Sequence, residues 1–268
     1  MLSITHYELL ITYNIKDFNF AINAASSDQL CKINLFLIEN EIKNILCEKP
    51  GANNIEELEN LNLVLLEKKL NFFIAYNRRF YSSVNKLMEL IEIDGGVESF
   101  YFDFTEWEST VLEAVKNKSI LKNWFVVNSL HVVDLAFFIC GSPIKINSHV
   151  MGESFWHKPM VFSGSGITNK DALFSYNANW NSAGRWGIEI NTKLNKYILR
   201  PLEELKFICK GSTEINVISI NSEMDTKFKP GLYAQVESFI SNQNDYRLIS
   251  LKNHMENFKL NYLKILNG

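Results

Sequence analysis

The sequence lacks the features that mark several large classes of protein. Its four cysteines form no CxxC pair, so we expect reduced core residues and not a disulfide framework. There is no long lysine or arginine run, and the net charge is only −3, which argues against nucleic acid or anionic lipid as a partner. No stretch approaches the ~18 apolar residues of a membrane span, and no secretory leader pattern opens the chain. We therefore expect a cytoplasmic protein.

Two kinds of ligand site are also missing from the pattern. The one Gly-x-Gly, Gly164-Ser165-Gly166, lacks a third glycine and opens no predicted helix, so it does not predict a phosphate-binding turn. Metal ligands need a recurring spacing, and four of the histidines show none with each other or with the cysteines; these are His6, His149, His157 and His254. We predict no metal site.

What the chain does contain is enough apolar surface for a large core, at 47% hydrophobic residues. Its first part alternates strand-like and helix-like segments with short connections, which is typical of a parallel sheet with right-handed crossovers. The predicted segments are a helix over 4–16, a strand over 18–25, a helix over 29–39 after the possible caps Ser26 to Asp28, a strand over 44–47, a helix from Asn53 or Asn54 to 69, and a strand over 71–76.

The pattern changes after Gly96. Phe100, Phe102 and Phe104 alternate within residues 98–107, as in a half-buried strand of an antiparallel sheet. An apolar helix over 128–140 ends at Gly141. Further strands are predicted at 144–152, 172–180, 185–193, 196–200 and 204–210, and two amphipathic helices at 231–241 and 250–266. We therefore place one domain over 1–80 and an antiparallel α+β domain over 81–268.

Glu48-Lys49-Pro50 is the most informative motif of the chain. It follows the strand at 44–47 and so places a carboxylate and an ammonium at the carboxyl edge of the sheet, where open α/β sheets bind ligands. Other segments in the same order are Asn23-Ala24-Ala25-Ser26, Asn77-Arg78-Arg79-Phe80 and His131-Val132-Val133-Asp134. Together they resemble the Gfo/Idh/MocA family of NAD(P)-dependent sugar and cyclitol oxidoreductases.

The resemblance implies a partial Rossmann-like domain, followed by a domain whose open, mostly antiparallel sheet carries the substrate pocket. It implies NAD or NADP as the cofactor. The substrate would be a sugar, sugar nucleotide or cyclitol whose hydroxyl/carbonyl pair exchanges a hydride with the cofactor. It also implies a homo-oligomer formed through the C-terminal sheet.

The chain departs from the family pattern at three places. The family places a glycine-rich βαβ portion before the equivalent of residue 18, and a βαβ unit takes roughly 30 residues, whereas 17 residues precede Phe18. We therefore expect an N-terminal truncation. Val127 stands where the family usually has an aspartate ahead of the histidine, and Ser82 stands where a proline is common. A non-catalytic remnant or interaction module remains the alternative function.

Lys49 and His131 are the predicted catalytic residues. A partly buried lysine has a lowered pKa and can bond the reacting hydroxyl, while a histidine titrates near neutral pH. The alternatives are a solvated strand-end lysine and a core histidine. Lys49, His131 and Asn128 are also predicted to bind substrate, Asn128 by hydrogen bonding alone. Asp134, three residues after His131, would hold its tautomer.

Six more residues are predicted to contact the cofactor besides Lys49. Glu48 would contact the nicotinamide end of the cofactor or orient Lys49. Ala24, Ala25 and Ser26 would bring backbone N–H groups close to the cofactor; the alternative for these three is a tight strand-to-helix turn. Asn77 and Arg79 complete the set, and a buried structural ion pair explains Arg79 equally well.

Two residues of the second domain complete the predicted substrate pocket. Trp180 and Arg185, in the segment Asn179–Trp186, would present an aromatic face and a guanidinium to a sugar. Core or subunit packing is the alternative for the tryptophans.

Overall fold

The structure is a computed structural model that describes residues 2–4 and 15–268. The predicted helix over 4–16 therefore lies mostly outside the described residues. In chain order the described strands are β1 (Leu2–Ile4), β2 (Phe20–Asn23), β3 (Asn44–Glu48), β4 (Asn71–Ala75), β5 (Ser99–Asp103), β6 (Pro143–Met151), β7 (Val161–Thr168), β8 (Leu173–Asn179), β9 (Gly187–Asn191), β10 (Asn195–Leu199), β11 (Lys206–Cys209), β12 (Asn216–Val217) and β13 (Ile249–Ser250).

The helices of the described residues are α1 (Leu30–Glu39), α2 (Ile55–Leu66), α3 (Ser82–Ile93), α4 (Glu108–Ala114), α5 (Lys118–Lys122), α6 (Leu130–Cys140), α7 (Glu223–Lys227), α8 (Leu232–Ser241), α9 (Leu251–Asn257) and α10 (Leu263–Asn267). Two π-helical turns, Phe125–Ser129 and Phe258–Tyr262, lead into α6 and α10. A 3-10 turn, Asn77–Phe80, precedes α3. No helix of the described residues is both long and apolar enough to cross a membrane.

Two compact units divide the chain. The first comprises residues up to 76 and 235–260, and the second comprises 77–234 and 261–268. The predicted division at residue 80 differs because it leaves 235–260 in the second domain. Those residues belong with the first unit because β13 pairs antiparallel with β4, Ile249 opposite Ile74.

The described strands of the first unit form one sheet in the order β1-β2-β3-β4-β13. The first four are parallel, as the alternating pattern predicts. Helix α2 begins where predicted, because the Asn54 side chain accepts from the Glu57 N–H at 2.9 Å while the Glu57 carboxylate accepts from the Asn53 N–H, a reciprocal cap. Helix α1 also lies where predicted, but none of the predicted caps Ser26 to Asp28 is its cap: the cap is Gln29, which makes no side-chain capping bond.

The described strands of the second unit form a sheet in the order β12-β11-β10-β9-β5-β8-β7-β6. Its pairs are antiparallel except β5 with β8, which is parallel. Phe100, Phe102 and Phe104 of the β5 segment are buried on one face, as predicted, and each ring stacks on the next at 6.2–6.3 Å. The predicted fold class, a parallel α/β sheet followed by a mostly antiparallel α+β domain, is confirmed.

The Gly164-Ser165-Gly166 segment lies inside β7, a strand that the sequence reasoning did not predict. Gly164 is opposite Tyr176 of β8, and Gly166 is opposite Phe174. A Cβ at either glycine would collide with the facing aromatic ring. These glycines therefore make room for two aromatic side chains across the sheet.

The cysteines are only partly the core residues that we expected. Cys47 and Cys140 are buried, Cys31 is half-buried, and Cys209 is exposed. Burial raises the pKa of the Cys47 and Cys140 thiols, so they are protonated and unreactive near neutral pH.

Candidate functional site

The turn after β3 carries Lys49. Lys49 is only 8% exposed, although it follows a strand at the carboxyl edge of the sheet. The next residues, Pro50 and Gly51, reverse the chain, and Gly51 has φ +84. A Cβ at Gly51 would meet Ile74 Cδ1 at 2.7 Å, so only glycine fits this backbone. Lys49 is therefore a largely buried lysine in a turn whose backbone is restricted by Gly51.

A histidine that the sequence reasoning set aside holds this turn from the other side. His254 is fully buried, and its Nε2 lies 3.0 Å from the Pro50 carbonyl oxygen. Because a carbonyl oxygen only accepts, Nε2 carries the proton, and Nδ1 accepts from the Tyr76 hydroxyl at 3.3 Å. The neutral ring thus connects Tyr76 at the end of β4 to the turn that presents Lys49.

Two buried asparagines complete the support of the same turn. The Asn34 side chain of α1 donates to the Gly51 carbonyl oxygen at 2.8 Å. It accepts from the Asn23 side chain, also at 2.8 Å. Asn23 ends β2 and pairs in register with Cys47 of β3, so the residues that follow the two strands emerge at the same edge of the sheet. Sequence reasoning missed both asparagines, although each interrupts an otherwise apolar segment.

The turn after β2 fits the approach of a dinucleotide. Ala24 and Ser26 are exposed and Ala25 is half-buried, so small residues leave the backbone accessible. The Ala25 N–H donates to the Asn23 side-chain oxygen at 3.3 Å, which removes it from the predicted set of free cofactor donors. The Ser27 hydroxyl oxygen is buried with no hydrogen-bond partner among the described residues. A buried unsatisfied hydroxyl is a reason to expect a bound polar group there.

Glu48 ends β3 at the same edge and is half-buried. In the first unit the structure thus brings together Glu48, Lys49 and the segment 24–26, as the sequence predicts. The residues present at this edge are compatible with a nicotinamide dinucleotide.

In the second unit, His131 lies in the first turn of α6 and is 9% exposed. Its ring lies 6.3 Å from the Trp186 ring. Asp134, predicted to orient this histidine, instead accepts two hydrogen bonds from Arg79, at 2.8 and 2.5 Å, and one from the Tyr262 hydroxyl at 2.9 Å. The expected His131–Asp134 partnership is replaced by a buried ion pair.

The same observations bear on the two cofactor contacts predicted after β4. Arg79 is 6% exposed, with its guanidinium on Asp134 and against the Phe138 ring. Asn77 is also buried and donates to the Pro230 carbonyl oxygen at 3.0 Å. The placement of Arg79 favours the ion-pair alternative, and the Asn77 side chain is bonded to the backbone.

A carboxylate that the sequence reasoning missed organises the rest of the second unit's site. Glu106 is 1% exposed. Its Oε1 accepts from Asn128, Ser129 and Trp186, at 2.9, 2.8 and 3.3 Å. Its Oε2 accepts from Arg185 at 3.1 Å. The carboxylate therefore connects Arg185 to Asn128 and Ser129, which lie in the turn before the His131 helix. Asn128 and Arg185 are both predicted substrate residues.

The electrostatic state of Glu106 follows from this geometry. Burial raises its pKa, while the hydrogen bonds from Ser129 and Asn128 and the charge of Arg185 lower it, and burial is the largest effect. A buried carboxylate with a cation and three neutral donors is fully satisfied. No local spacing announces Glu106, because its partners lie 22 to 80 residues later in the chain.

Trp180 lies elsewhere in the second unit. It is 1% exposed, donates to the Phe104 carbonyl oxygen at 3.2 Å, and stacks on Trp156 at 5.5 Å. This burial favours core packing over the predicted contact with a sugar. In the described part of the chain, no group of three or more histidine, cysteine or acidic residues is placed to hold a metal ion.

Neither the family models nor the curated protein sequences include a match to this chain. Solved structures do match. UDP-N-acetylglucosamine 3-dehydrogenase from Acidithiobacillus ferrooxidans aligns with TM-score 0.70 and 12% identity, covering 94% of this chain and 78% of that one. Levoglucosan dehydrogenase in complex with NADH and levoglucosan aligns with TM-score 0.74 and 15% identity, covering 98% and 80%.

A third match is an oxidoreductase from Agrobacterium radiobacter in complex with NAD+, L-tartaric acid and magnesium. It aligns with TM-score 0.70 and 13% identity, covering 95% of this chain and 80% of that one. At these identities the likeness is one of fold. The chain therefore shares its fold with solved dehydrogenases, and two of these three structures are complexes with NADH or NAD+.

Proposed function

We propose that this chain is an NAD(P)-dependent oxidoreductase acting on a sugar, sugar nucleotide or cyclitol. The observation that carries the proposal is the largely buried Lys49 at the carboxyl edge of the parallel sheet, in a fold shared with NAD-dependent dehydrogenases. A lysine so placed is a chemically suitable partner for a hydroxyl that loses its proton as its carbon loses a hydride. When bound, the dinucleotide accepts or supplies that hydride.

The residues around Lys49 have separate roles in this proposal. Lys49 hydrogen-bonds the reacting hydroxyl and handles its proton. His254 and Asn34 hold the turn through the carbonyl oxygens of Pro50 and Gly51, which fixes where the ammonium lies. Glu48 and the backbone after β2 contact the cofactor.

In the second unit, His131 is the proposed second proton-handling residue. Asn128 and Arg185 bind the substrate, and Glu106 orients both through its two carboxylate oxygens. Arg79 is assigned to the ion pair with Asp134. A fixed orientation of polar groups is what hydride-transfer sites require, since misplacement of a donor lowers turnover sharply.

Turnover tests the proposal directly. The purified chain is mixed with NAD+ or NADP+ and a panel of neutral sugars, sugar acids, sugar nucleotides and inositols, and reduced nicotinamide is followed by absorbance. We expect at least one substrate to give protein-dependent reduction. A folded chain that reduces neither dinucleotide, and oxidises neither reduced form with the matching ketones, would support the alternative of a non-catalytic module.

A further inference from the structure

The Arg185 side chain is unusual among the cations of the second unit because it is clamped and yet accessible. Its guanidinium lies over the Trp186 ring at 4.7 Å and over the Trp107 ring at 5.0 Å. Glu106, which is buried, holds it at 3.1 Å. Despite these three contacts, 44% of the side chain remains exposed. The guanidinium is therefore oriented by buried groups while part of it faces outward.

The hydrogen-bonding capacity of Arg185 is largely unused. A guanidinium has five N–H donors, and within the described residues it makes one protein hydrogen bond, to Glu106. Planar guanidinium forks match the paired oxygens of carboxylates and phosphates. Because the protein already restrains this fork, less rotamer entropy is lost when it binds an anion.

Trp107 adds an apolar surface beside these donors. The residue is 48% exposed, and its indole N–H donates to the Gly184 carbonyl oxygen at 2.5 Å, which fixes the ring's orientation. An exposed, rigid indole face suits the C–H face of a sugar ring, since ligand sites combine aromatic walls with a few placed polar groups.

Two more arginines lie close to Arg185 and Trp186. Arg78 also lies over the Trp186 ring, at 4.8 Å. Arg200 donates to the Arg185 carbonyl oxygen at 2.6 Å and lies 3.8 Å from Asp103. Two further guanidiniums thus lie close to the Arg185–Trp186 segment, and cations near a site favour an anionic ligand.

If the Arg185–Trp186 stack served only to stabilise the surface, it would not need a buried carboxylate as a partner. Exposed ion pairs contribute little to stability. Here a carboxylate that is costly to bury binds an exposed guanidinium through one of its oxygens. From this juxtaposition we propose that Trp107, Arg185 and Trp186 form a subsite for a sugar that carries an anionic group, either a carboxylate or a phosphate. The inference rests on the proposed function in that it names the substrate class of the same chain.

Calorimetric titration of the full chain, without dinucleotide, tests the subsite with three probes. These are D-glucuronate, D-glucose 6-phosphate and neutral D-glucose. We expect at least one charged probe to bind about tenfold or more tightly than glucose, because hydrogen bonds to charged groups are among the stronger ones. Preference for glucuronate identifies a carboxylate site, and preference for glucose 6-phosphate identifies a phosphate site. Equal binding of all three, or no binding, overturns the proposal.

Substitutions test whether Arg185 causes the preference for charged sugars. Arg185→Gln should abolish it, and Arg185→Lys, which keeps a cation beside Glu106, should weaken it because the fork is lost. Lys196→Gln is the matched control: it removes one positive charge at the other end of the β9–β10 pair, where Lys196 is opposite Asn191. Charge preference that survives in a folded Arg185→Gln chain, or that disappears in Lys196→Gln, overturns the assignment.

Trp107→Leu provides a variant that alters no buried group. It should weaken all three probes by a similar factor and leave the charge preference intact. Unchanged affinity for every probe would remove Trp107 from the subsite. Charge-dependent sugar binding in a chain that binds neither NADH nor NADPH would contradict the proposed function and leave the anionic subsite standing. If the chain binds NADH but shows no preference for charged sugars, the anionic subsite is contradicted and the proposed function stands.

Discussion

The turn that presents Lys49 and the Glu106 cluster are both buried polar sites, yet they are built differently. In the first unit, neutral groups hold the turn: the imidazole of His254 and the amide of Asn34 bind backbone carbonyls. In the second unit, charges hold the site: Glu106 binds Arg185, and Asp134 binds Arg79. Neutral partners can be lost at the cost of a hydrogen bond, whereas a lost ionic partner leaves a buried charge. The two units should therefore respond differently to substitution.

The largest expected effect is on turnover at Lys49. Lys49→Ala should lower kcat by about 10²–10⁴-fold, the range typical of a lost proton-transfer group, with little change in folding or in NADH affinity. The measurement is steady-state turnover on the substrate that the panel identifies. Lys43→Ala, at the exposed start of the same chain segment, is the control and should be near normal. Near-normal turnover of Lys49→Ala itself would refute the assignment.

The next largest expected effect is on stability, at the buried Arg79–Asp134 ion pair of the second unit. Arg79→Met should lower the free energy of unfolding of the second unit by about 3–5 kcal/mol, because the buried Asp134 carboxylate loses its cation. Urea denaturation monitored by amide hydrogen exchange measures it.

The double variant Arg79→Met/Asp134→Leu separates charge from packing. It should recover much of the loss, since no unpaired charge remains. If the single variant folds normally while NADH affinity falls, Arg79 is a cofactor contact, as its sequence context predicts, and the ion-pair role is wrong.

Removing a neutral partner in the first unit should destabilise the protein less than removing Arg79. Asn34→Ala removes the donor to the Gly51 carbonyl oxygen and the acceptor of the Asn23 side chain. We expect a loss of about 2–3 kcal/mol in the first unit, since buried groups left unsatisfied cost about 1–3 kcal/mol each. Turnover should fall as well, because the Lys49 turn loses its support. A loss larger than that of Arg79→Met would reverse the proposed contrast between the units.

The last expected effect concerns pH. Burial lowers the pKa of His157 from 6.5 to about 4, and its Nδ1 donates to the Pro159 carbonyl oxygen at 2.8 Å. Between these two values the unfolded chain binds a proton that the folded chain does not. The second unit should therefore lose stability as the pH falls from about 6.5 to about 4.

His157→Asn keeps a donor but cannot titrate. Relative to this variant, the natural chain should lose about 2–3 kcal/mol more across that window. Thermal melting at several pH values compares the two. Parallel pH profiles would mean that His157 does not titrate between the folded and unfolded states.

Local patterns account for the parts of the molecule that sequence reasoning predicted. The apolar run before Glu48, the Asn54 and Glu57 cap of α2, and the alternating phenylalanines of β5 each depend on residues close in sequence. Each appears in the structure near its predicted position. A turn that follows a strand is visible in the same way, so the sequence alone is enough to place Lys49 at the sheet edge.

The rest depends on contacts between distant residues. Glu106 meets Arg185 and Trp186 across about 80 positions, and His254 meets Pro50 across 204. Nothing in the neighbourhood of these residues distinguishes them from surface glutamate or core histidine. Strand β7 was missed for a different reason: glycine has low strand propensity, and only the aromatic rings opposite explain its use there.

Titration with NADH and NADPH, followed by nicotinamide fluorescence in a sample shown to be folded by circular dichroism, is the most direct test of a dinucleotide-dependent function. We predict a saturable change with at least one of the two cofactors, and a smaller change in Ser26→Leu, whose larger uncharged side chain covers the backbone of the turn after β2. The absence of any change with either cofactor in the folded chain would contradict the proposed function.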